Sequence, residues 1–195
     1  MKKIIGLIPT IINRRKTNNL IVDINLINFL NECFPKNQLK ILSGEKINTK
    51  IDLIVSSGGN SIVSINKSKE NNLRKVFDQY YLKYSIMKNI PFLGICYGAQ
   101  YVANYYKSKI IKKRNHTKKE HTIFFDKSKK NIKVNSYHDY SIIKLGKELE
   151  KIAFTKDGSI EAFKHKNKKI LGIMWHPERY KKIKKFDIEF IKKYL

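Results

Sequence analysis

The sequence predicts an α/β fold built on a mostly parallel sheet with helices on both faces, and two observations carry that reading. Through the first half, short uninterrupted apolar runs alternate with longer stretches of helical periodicity, the pattern of strands buried on both faces. From Thr122 onward the helical stretches give way to closely spaced β-rich runs separated by turn residues, which adds antiparallel strands in the C-terminal half. At 195 residues, 42% apolar and 11% aromatic, the chain can bury one core and is too apolar for disorder, so a single domain over 1–195 is expected.

Residues 3–8 are an apolar run ending at Pro9 and predict a first buried strand. Ile21, Ile24, Ile27, Leu30 and Phe34 recur at spacings of three and four, predicting an amphipathic helix over 20–34 stopped by Pro35. A short strand over 40–42 precedes Ser43-Gly44, and a strand over 51–57 runs into Gly58-Gly59-Asn60, a turn with few side chains to block a ligand. A long helix over 71–89 leads to a buried strand over 90–95, and Tyr101, Val102 and Tyr105 mark the helix after it. The lysine-dense stretch 107–130 is expected to be an exposed crossover. Short strands are predicted at 123–125, 132–135, 152–155, 160–163 and 170–175, with Asp157-Gly158 and Lys166-Asn167-Lys168 as hairpin turns. Tyr180, Ile183, Phe186, Phe190, Ile191 and Tyr194, near helical spacing with lysines opposite, predict a final helix docking on the sheet.

Composition removes several function classes. No apolar run reaches the roughly 18 residues of a membrane span, and the first six residues lead into Pro9-Thr10 rather than a signal region, so a soluble cytoplasmic protein without membrane contact is expected. Two cysteines, Cys33 and Cys96, make no disulfide scaffold, and no Cys/His spacing suits structural zinc; neither metal nor cofactor is expected. The net charge of +25 suggests nucleic acid at first sight, but it comes from 36 Lys and only 5 Arg. Lys, Ile and Asn together make 84 of 195 residues, all with AT-rich codons, so the charge reads as compositional bias on a solvated surface. Readers of phosphates and bases favour the planar Arg fork, and nucleic acid is not expected as the main partner.

Gly94-Ile95-Cys96-Tyr97-Gly98-Ala99-Gln100 lies between an apolar strand and a helical run, the thiol counterpart of the G-x-S-x-G elbow. A nucleophile on such a turn has strained backbone, flanking glycines let strand and helix approach, and the helix amino terminus favours the thiolate. Alone, the motif also fits a buried structural cysteine. Trp175-His176-Pro177-Glu178 ends the predicted strand 170–175, and residues two apart on an extended segment point the same way. Glu178 would then orient His176, and His176 would take the proton of Cys96. H-P-E alone is equally an ordinary helix start. Gly58 and Gly59 read either as a flexible loop or as a source of backbone N–H groups for an oxyanion, with Gly59 and Tyr97 as the two donors.

The order GGN (58–60), GICYGAQ (94–100), NSYHDYSI (135–142) and GIMWHPER (172–179) resembles the class I glutamine amidotransferase superfamily, in its γ-glutamyl hydrolase branch, peptidase family C26. The resemblance implies a flavodoxin-like fold and attack of Cys96 on a γ-glutamyl carbonyl to form a thioester hydrolysed with help from His176. It implies that Gln100 and the Ser136-Tyr137-His138 segment hold the α-amino and α-carboxylate groups of the glutamyl moiety. Within the branch, the sequence is most similar to γ-glutamyl-CDP-amidate hydrolases of capsule phosphoramidate synthesis, which implies a small-molecule substrate with a nucleotide leaving group. Two other functions stay open: a glutaminase subunit feeding ammonia to a separate synthase, and a non-catalytic basic binding protein on the same fold. His138-Asp139 is a second candidate base pair, ranked behind His176 because it lacks the following Glu. His116, His121 and His165 sit in lysine-rich stretches and are expected exposed, and Cys33 is expected to serve packing. Arg14 and Arg15 read as an exposed loop or an anion contact, and Arg179 as a substrate contact or a brace.

Overall fold

The computed structural model describes residues 2–113, 117–128 and 130–195. In chain order the first elements are β1 (Ile4–Ile8), β2 (Thr10–Arg14), β3 (Thr17–Ile21), α1 (Ile24–Cys33), β4 (Gln38–Ile41), β5 (Leu53–Ser56), α2 (Lys69–Lys88), β6 (Phe92–Ile95) and α3 (Tyr97–Tyr105). Then come β7 (Lys109–Lys112), β8 (Thr117–Phe125), β9 (Asn131–Tyr137), β10 (Tyr140–Lys144), β11 (Leu149–Phe154), β12 (Ile160–His165), β13 (Ile170–Ile173) and α4 (Lys185–Tyr194). Strands β4, β1, β5, β6 and β13 lie side by side and all parallel. Beyond β13 the same sheet continues antiparallel through β12, β11, β8 and β9, with β10 pairing both β12 and β7.

Alternation along the parallel strands divides the core. Ile5, Leu7, Leu53, Val55, Leu93, Ile95, Leu171 and Ile173 face α1 and α4, while Ile8, Ile54, Phe92 and Ile170 face α2 and α3. The sheet is thus covered on both sides, as its apolar strands require. Ser68 caps α2 by accepting from the Asn71 N–H at 3.2 Å, and left-handed Asn89 (φ 52°) ends the helix.

Three expectations need correction. The helix expected over 20–34 begins only at Ile24, after Asp23 caps it, because residues 17–21 pair with β2 in a hairpin. The buried face is Leu26, Phe29, Leu30 and Cys33; Ile24 is 69% exposed and Ile21 37% exposed. The expected crossover at 107–130 consists largely of β7 and β8, so its lysines decorate strands. The last helix starts at Lys185, leaving Tyr180 and Ile183 in the segment before it. No helix among the described residues is long and apolar enough to cross a membrane.

The helix face can be checked by denaturation. Phe29→Ala is expected to cost about 3–5 kcal/mol, the scale for emptying a buried aromatic site, and Ile24→Ala to stay within about 0.5 kcal/mol. Urea midpoints with unchanged slopes measure both; a larger loss at Ile24 would restore the face read from the sequence.

Candidate active site

Register brings the glycine turn and both motifs together. Ser56 of β5 pairs with Gly94 of β6, and Gly94 pairs with Gly172 of β13, so the chain leaves three adjacent carboxyl ends at one level. A Cβ on Gly58 would lie 3.5 Å from the Cys96 Cβ and 2.7 Å from His176 Cε1, so only glycine fits beneath the imidazole. Cys96 has φ 51° and ψ −101°, a strained conformation costing on the order of 1–3 kcal/mol that the surroundings must hold. Its N–H donates to the Ile173 carbonyl at 2.8 Å, and its carbonyl accepts from the Gln100 N–H at 2.9 Å, locking the elbow to β13 and α3. A Cβ on Gly94 would come within 2.6 Å of the Gly98 carbonyl carbon, and one on Gly98 would strike Ser56 of β5. The flanking glycines thus permit the close approach.

His176 Nδ1 lies 2.6 Å from Glu178 Oε1, and all three of Cys96, His176 and Glu178 are buried. Burial alone would push the Cys96 thiol up. The charge of His176, its hydrogen bond to the sulfur, and the charges of His138 and Arg179 more than offset this, leaving the thiol below its ordinary value. Burial would likewise depress His176, but the thiolate charge and the bonds to Cys96 and Glu178 raise it to about 9. The two shifts belong to one coupled pair, a thiolate beside an imidazolium. Cys33, by contrast, is buried in the core and its thiol is pushed up to about 12 by that burial.

The Gly58-Gly59 turn is tied down. Thr10 Oγ1 donates to the Gly58 carbonyl at 2.7 Å, and Asn60 clamps Ile11, accepting from its N–H at 2.9 Å and donating to its carbonyl at 2.8 Å. Underneath, fully buried Arg74 pairs with Asp78 at 2.8 Å and donates to the carbonyls of Pro9 at 2.7 Å and Ser57 at 2.8 Å. Gly59 itself turns with φ 104°, a conformation that disfavours a side chain. Tyr97 opens α3, its ring 4.8 Å below the Arg74 guanidinium.

Among the remaining expected residues, Gln100 is buried and donates from Nε2 to the Tyr140 carbonyl at 3.0 Å. The same carbonyl lies 3.0 Å from His138 Nδ1. Ser136 is fully buried on β9, whereas Tyr137 is 38% exposed with its ring edge-on to His176 at 5.7 Å. His138 does not face solvent as a free base would. Its Nε2 is 3.5 Å from Glu161, which also lies 3.2 Å from His121 Nε2. Burial would raise Glu161, yet the two histidines hold it at about 2, and Glu161 in turn raises His138. The expectation of exposed histidines is therefore corrected: His121 is mostly buried against Glu161. His165 is buried too, accepting at Nδ1 from the N–H groups of Asn167 and Lys168 in the turn after β12. His116 lies outside the described residues.

Asn135, Arg74 and Glu161 were not singled out by sequence. Asn135 grips the His176 backbone reciprocally, donating from Nδ2 to its carbonyl at 2.7 Å and accepting from its N–H at 2.8 Å. A signal existed only for Asn135, which opens the NSYHDYSI segment.

Residues 16–193 match the family model of class-I glutamine amidotransferases. The chain is 40% identical over 129 residues to the γ-glutamyl-CDP-amidate hydrolase of Campylobacter jejuni, covering 66% of this chain and 63% of that protein. It is 29% identical over 139 residues to a glutamine-hydrolysing GMP synthase subunit of Methanococcus vannielii, covering 67% and 66%. The match thus spans less than two thirds of the length of either relative. A glutamine amidotransferase structure from Thermotoga maritima superposes with a TM-score of 0.70 at 18% identity, over 98% of this chain and 83% of that one, a likeness of fold.

The electrostatics predict an alkylation profile. A lowered pKa means more thiolate at a given pH, so iodoacetamide labelling of Cys96 should inflect below the roughly 8.5 of a free thiol. His176→Gln should shift the inflection upward, since burial then acts with less opposing charge. Rate-versus-pH curves followed by mass spectrometry test this; identical inflections would remove His176 from the field of the sulfur.

Proposed function

The chain belongs to the class-I glutamine amidotransferase family, and from that premise we propose that it is a cysteine hydrolase releasing glutamate from γ-glutamyl amides. The observation that carries the reading is the strained Cys96 elbow beside a His176 held 2.6 Å from a buried Glu178. In this mechanism the Cys96 thiolate attacks the γ-carbonyl, and the backbone N–H groups of Gly59 and Tyr97 stabilise the oxyanion. Collapse breaks the C–N bond, and His176 protonates the departing nitrogen. His176, now neutral, deprotonates a water that opens the thioester and frees glutamate, while Glu178 orients the ring and stabilises its charged form. Gln100 and the 136–138 segment hold the glutamyl head, with Gly58 keeping the approach to Cys96 open.

The substrate best supported is γ-glutamyl-CDP-amidate, from the 40% identity to the Campylobacter jejuni hydrolase. Its proposed setting is cytoplasmic synthesis of capsule phosphoramidate. The 29% identity to a GMP synthase subunit supports a second reading, a glutaminase that passes ammonia to a partner.

Glutamate release separates the two. The isolated protein is expected to hydrolyse γ-glutamyl-CDP-amidate with a higher kcat/KM than glutamine. Cys96→Ser should abolish turnover, His176→Ala should lower kcat by about 10²–10⁴, and Cys33→Ser should retain activity. Inertness toward every γ-glutamyl compound, relieved for glutamine by adding the cell extract, would replace the hydrolase with the ammonia donor.

A further inference from the structure

An acyl transfer expels its leaving nitrogen toward the group that protonates it. Here that group is His176, so whatever the nitrogen carries must pass the outward edge of the imidazole. Tyr137 packs against that ring, its own ring perpendicular to His176 (87°) with centroids 5.7 Å apart. The guanidinium carbon of Arg179 lies 4.6 Å from the centre of the Tyr137 ring. The Tyr137–Arg179 pair is partly exposed, whereas Cys96, His176 and Glu178 are buried, so the pair lies nearer solvent than they do.

Arg179 makes a poor brace for the carboxylate beside it. Its Nε is 4.0 Å from Glu178 Oε1, beyond hydrogen-bond range, and that oxygen already faces His176 at 2.6 Å. Among the described residues, that carboxylate and the Tyr137 ring are the only partners of the guanidinium, so its terminal Nη groups are directed to no protein acceptor. An aromatic platform under a guanidinium fixes its plane while leaving the fork free for a bidentate anion. Arg179 also acts on the Cys96 sulfur through its charge, behind His176 and His138 in strength. Arg14 and Arg15, the other arginine candidates, belong to the β2–β3 hairpin, at its far end from Thr10, where that hairpin meets the Gly58 turn.

Resting on the hydrolase reading proposed above, we infer that Arg179, seated on Tyr137, binds a phosphoryl group attached to the leaving nitrogen. In this step the C–N bond breaks, the electron pair stays on nitrogen, His176 supplies the proton, and the P–N bond remains intact. The fork neutralises the phosphoryl charge in the bound substrate and in the departing phosphoramidate alike, and it takes no part in the attack on the carbonyl. Arg179 is thereby a specificity-determining residue for γ-glutamyl amides whose nitrogen bears a phosphate ester, against glutamine, whose nitrogen bears only hydrogen.

The test compares kcat/KM for γ-glutamyl-CDP-amidate and for γ-glutamyl-p-nitroanilide, whose leaving group is uncharged, in wild type, Arg179→Gln, Arg179→Lys and Tyr137→Leu. Arg179→Gln is expected to lose about 10- to 100-fold more on the phosphorylated substrate than on the anilide, the scale of a lost charged hydrogen bond. The loss should fall mainly in KM, with partial rescue by Lys and a smaller loss of the same kind in Tyr137→Leu. Equal losses on both substrates would make Arg179 a brace for Glu178 and overturn the subsite. If wild type turns over neither substrate, the hydrolase reading has failed, and the subsite is then read by binding. CDP should slow iodoacetamide labelling of Cys96 in wild type and not in Arg179→Gln, whereas no protection, or equal protection in both, would remove it.

Discussion

Strand β13 has parallel β6 on one side and antiparallel β12 on the other, and the site depends on both pairings at once. The β6 side brings Cys96 to the carboxyl end beside His176, fastened by the bond from its N–H to Ile173. The β12 side brings Glu161, whose carbonyl accepts from the Met174 N–H at 2.8 Å while its carboxylate reaches His138 and His121. The end of β13 itself carries His176, and Trp175 just before it donates to Asp187 of α4 at 2.8 Å, docking that helix on the same strand. A slip of one residue in β13 would turn the side chains it carries, Trp175 and His176 with them, away from these partners.

Charge inside the molecule follows a different logic from charge outside it. Most buried ionic groups among the described residues come in sets: Cys96, His176 and Glu178; His121, Glu161 and His138; Arg74 and Asp78, whereas buried Asp187 accepts from the Trp175 indole and burial raises its carboxyl to about 6. Each set offsets a desolvation cost that an isolated ion could not meet. No lysine among the described residues is buried, so the residue type that dominates the net charge of +25 stays outside the core there. The charged groups gathered around Cys96 are histidine and arginine, placed one by one.

The legible parts of the fold were those with a local pattern. Buried parallel strands are uninterrupted apolar runs, and the elbow is a short string whose spacing carries its geometry. The W-H-P-E ending was legible as a string but not in shape: β13 stops at Ile173, and Pro177–Arg179 form a 3-10 turn that brings Glu178 to His176, in place of the extended segment expected there. The β2–β3 hairpin has no such pattern. Its second strand, Thr17–Ile21, is polar and mostly exposed, and its two-residue turn is Arg15-Lys16, both at positive φ (51° and 65°), where asparagine and glycine are the usual signal. Missing that hairpin shifted the start of α1 and with it the buried face. The lysines of β8 likewise hid a strand because its neighbours leave part of it in solvent. Arg74, Asn135 and Glu161 escaped for another reason: Asn135 meets His176 across 41 residues, and Arg74 meets Pro9 across 65, distances over which no spacing rule operates.

The separation of Cys96 and His176 along the chain also sets when the thiol is activated. Residue 96 emerges during synthesis well before residue 176, and the charge and hydrogen bond that most favour the thiolate come from the latter. Until β13 zips onto β6, Cys96 is an ordinary thiol, only a few per cent ionised near neutrality. A nascent or partly unfolded chain therefore shows oxidants and stray disulfides an unactivated cysteine, and the dangerous form of the side chain exists only where a folded wall already shields it.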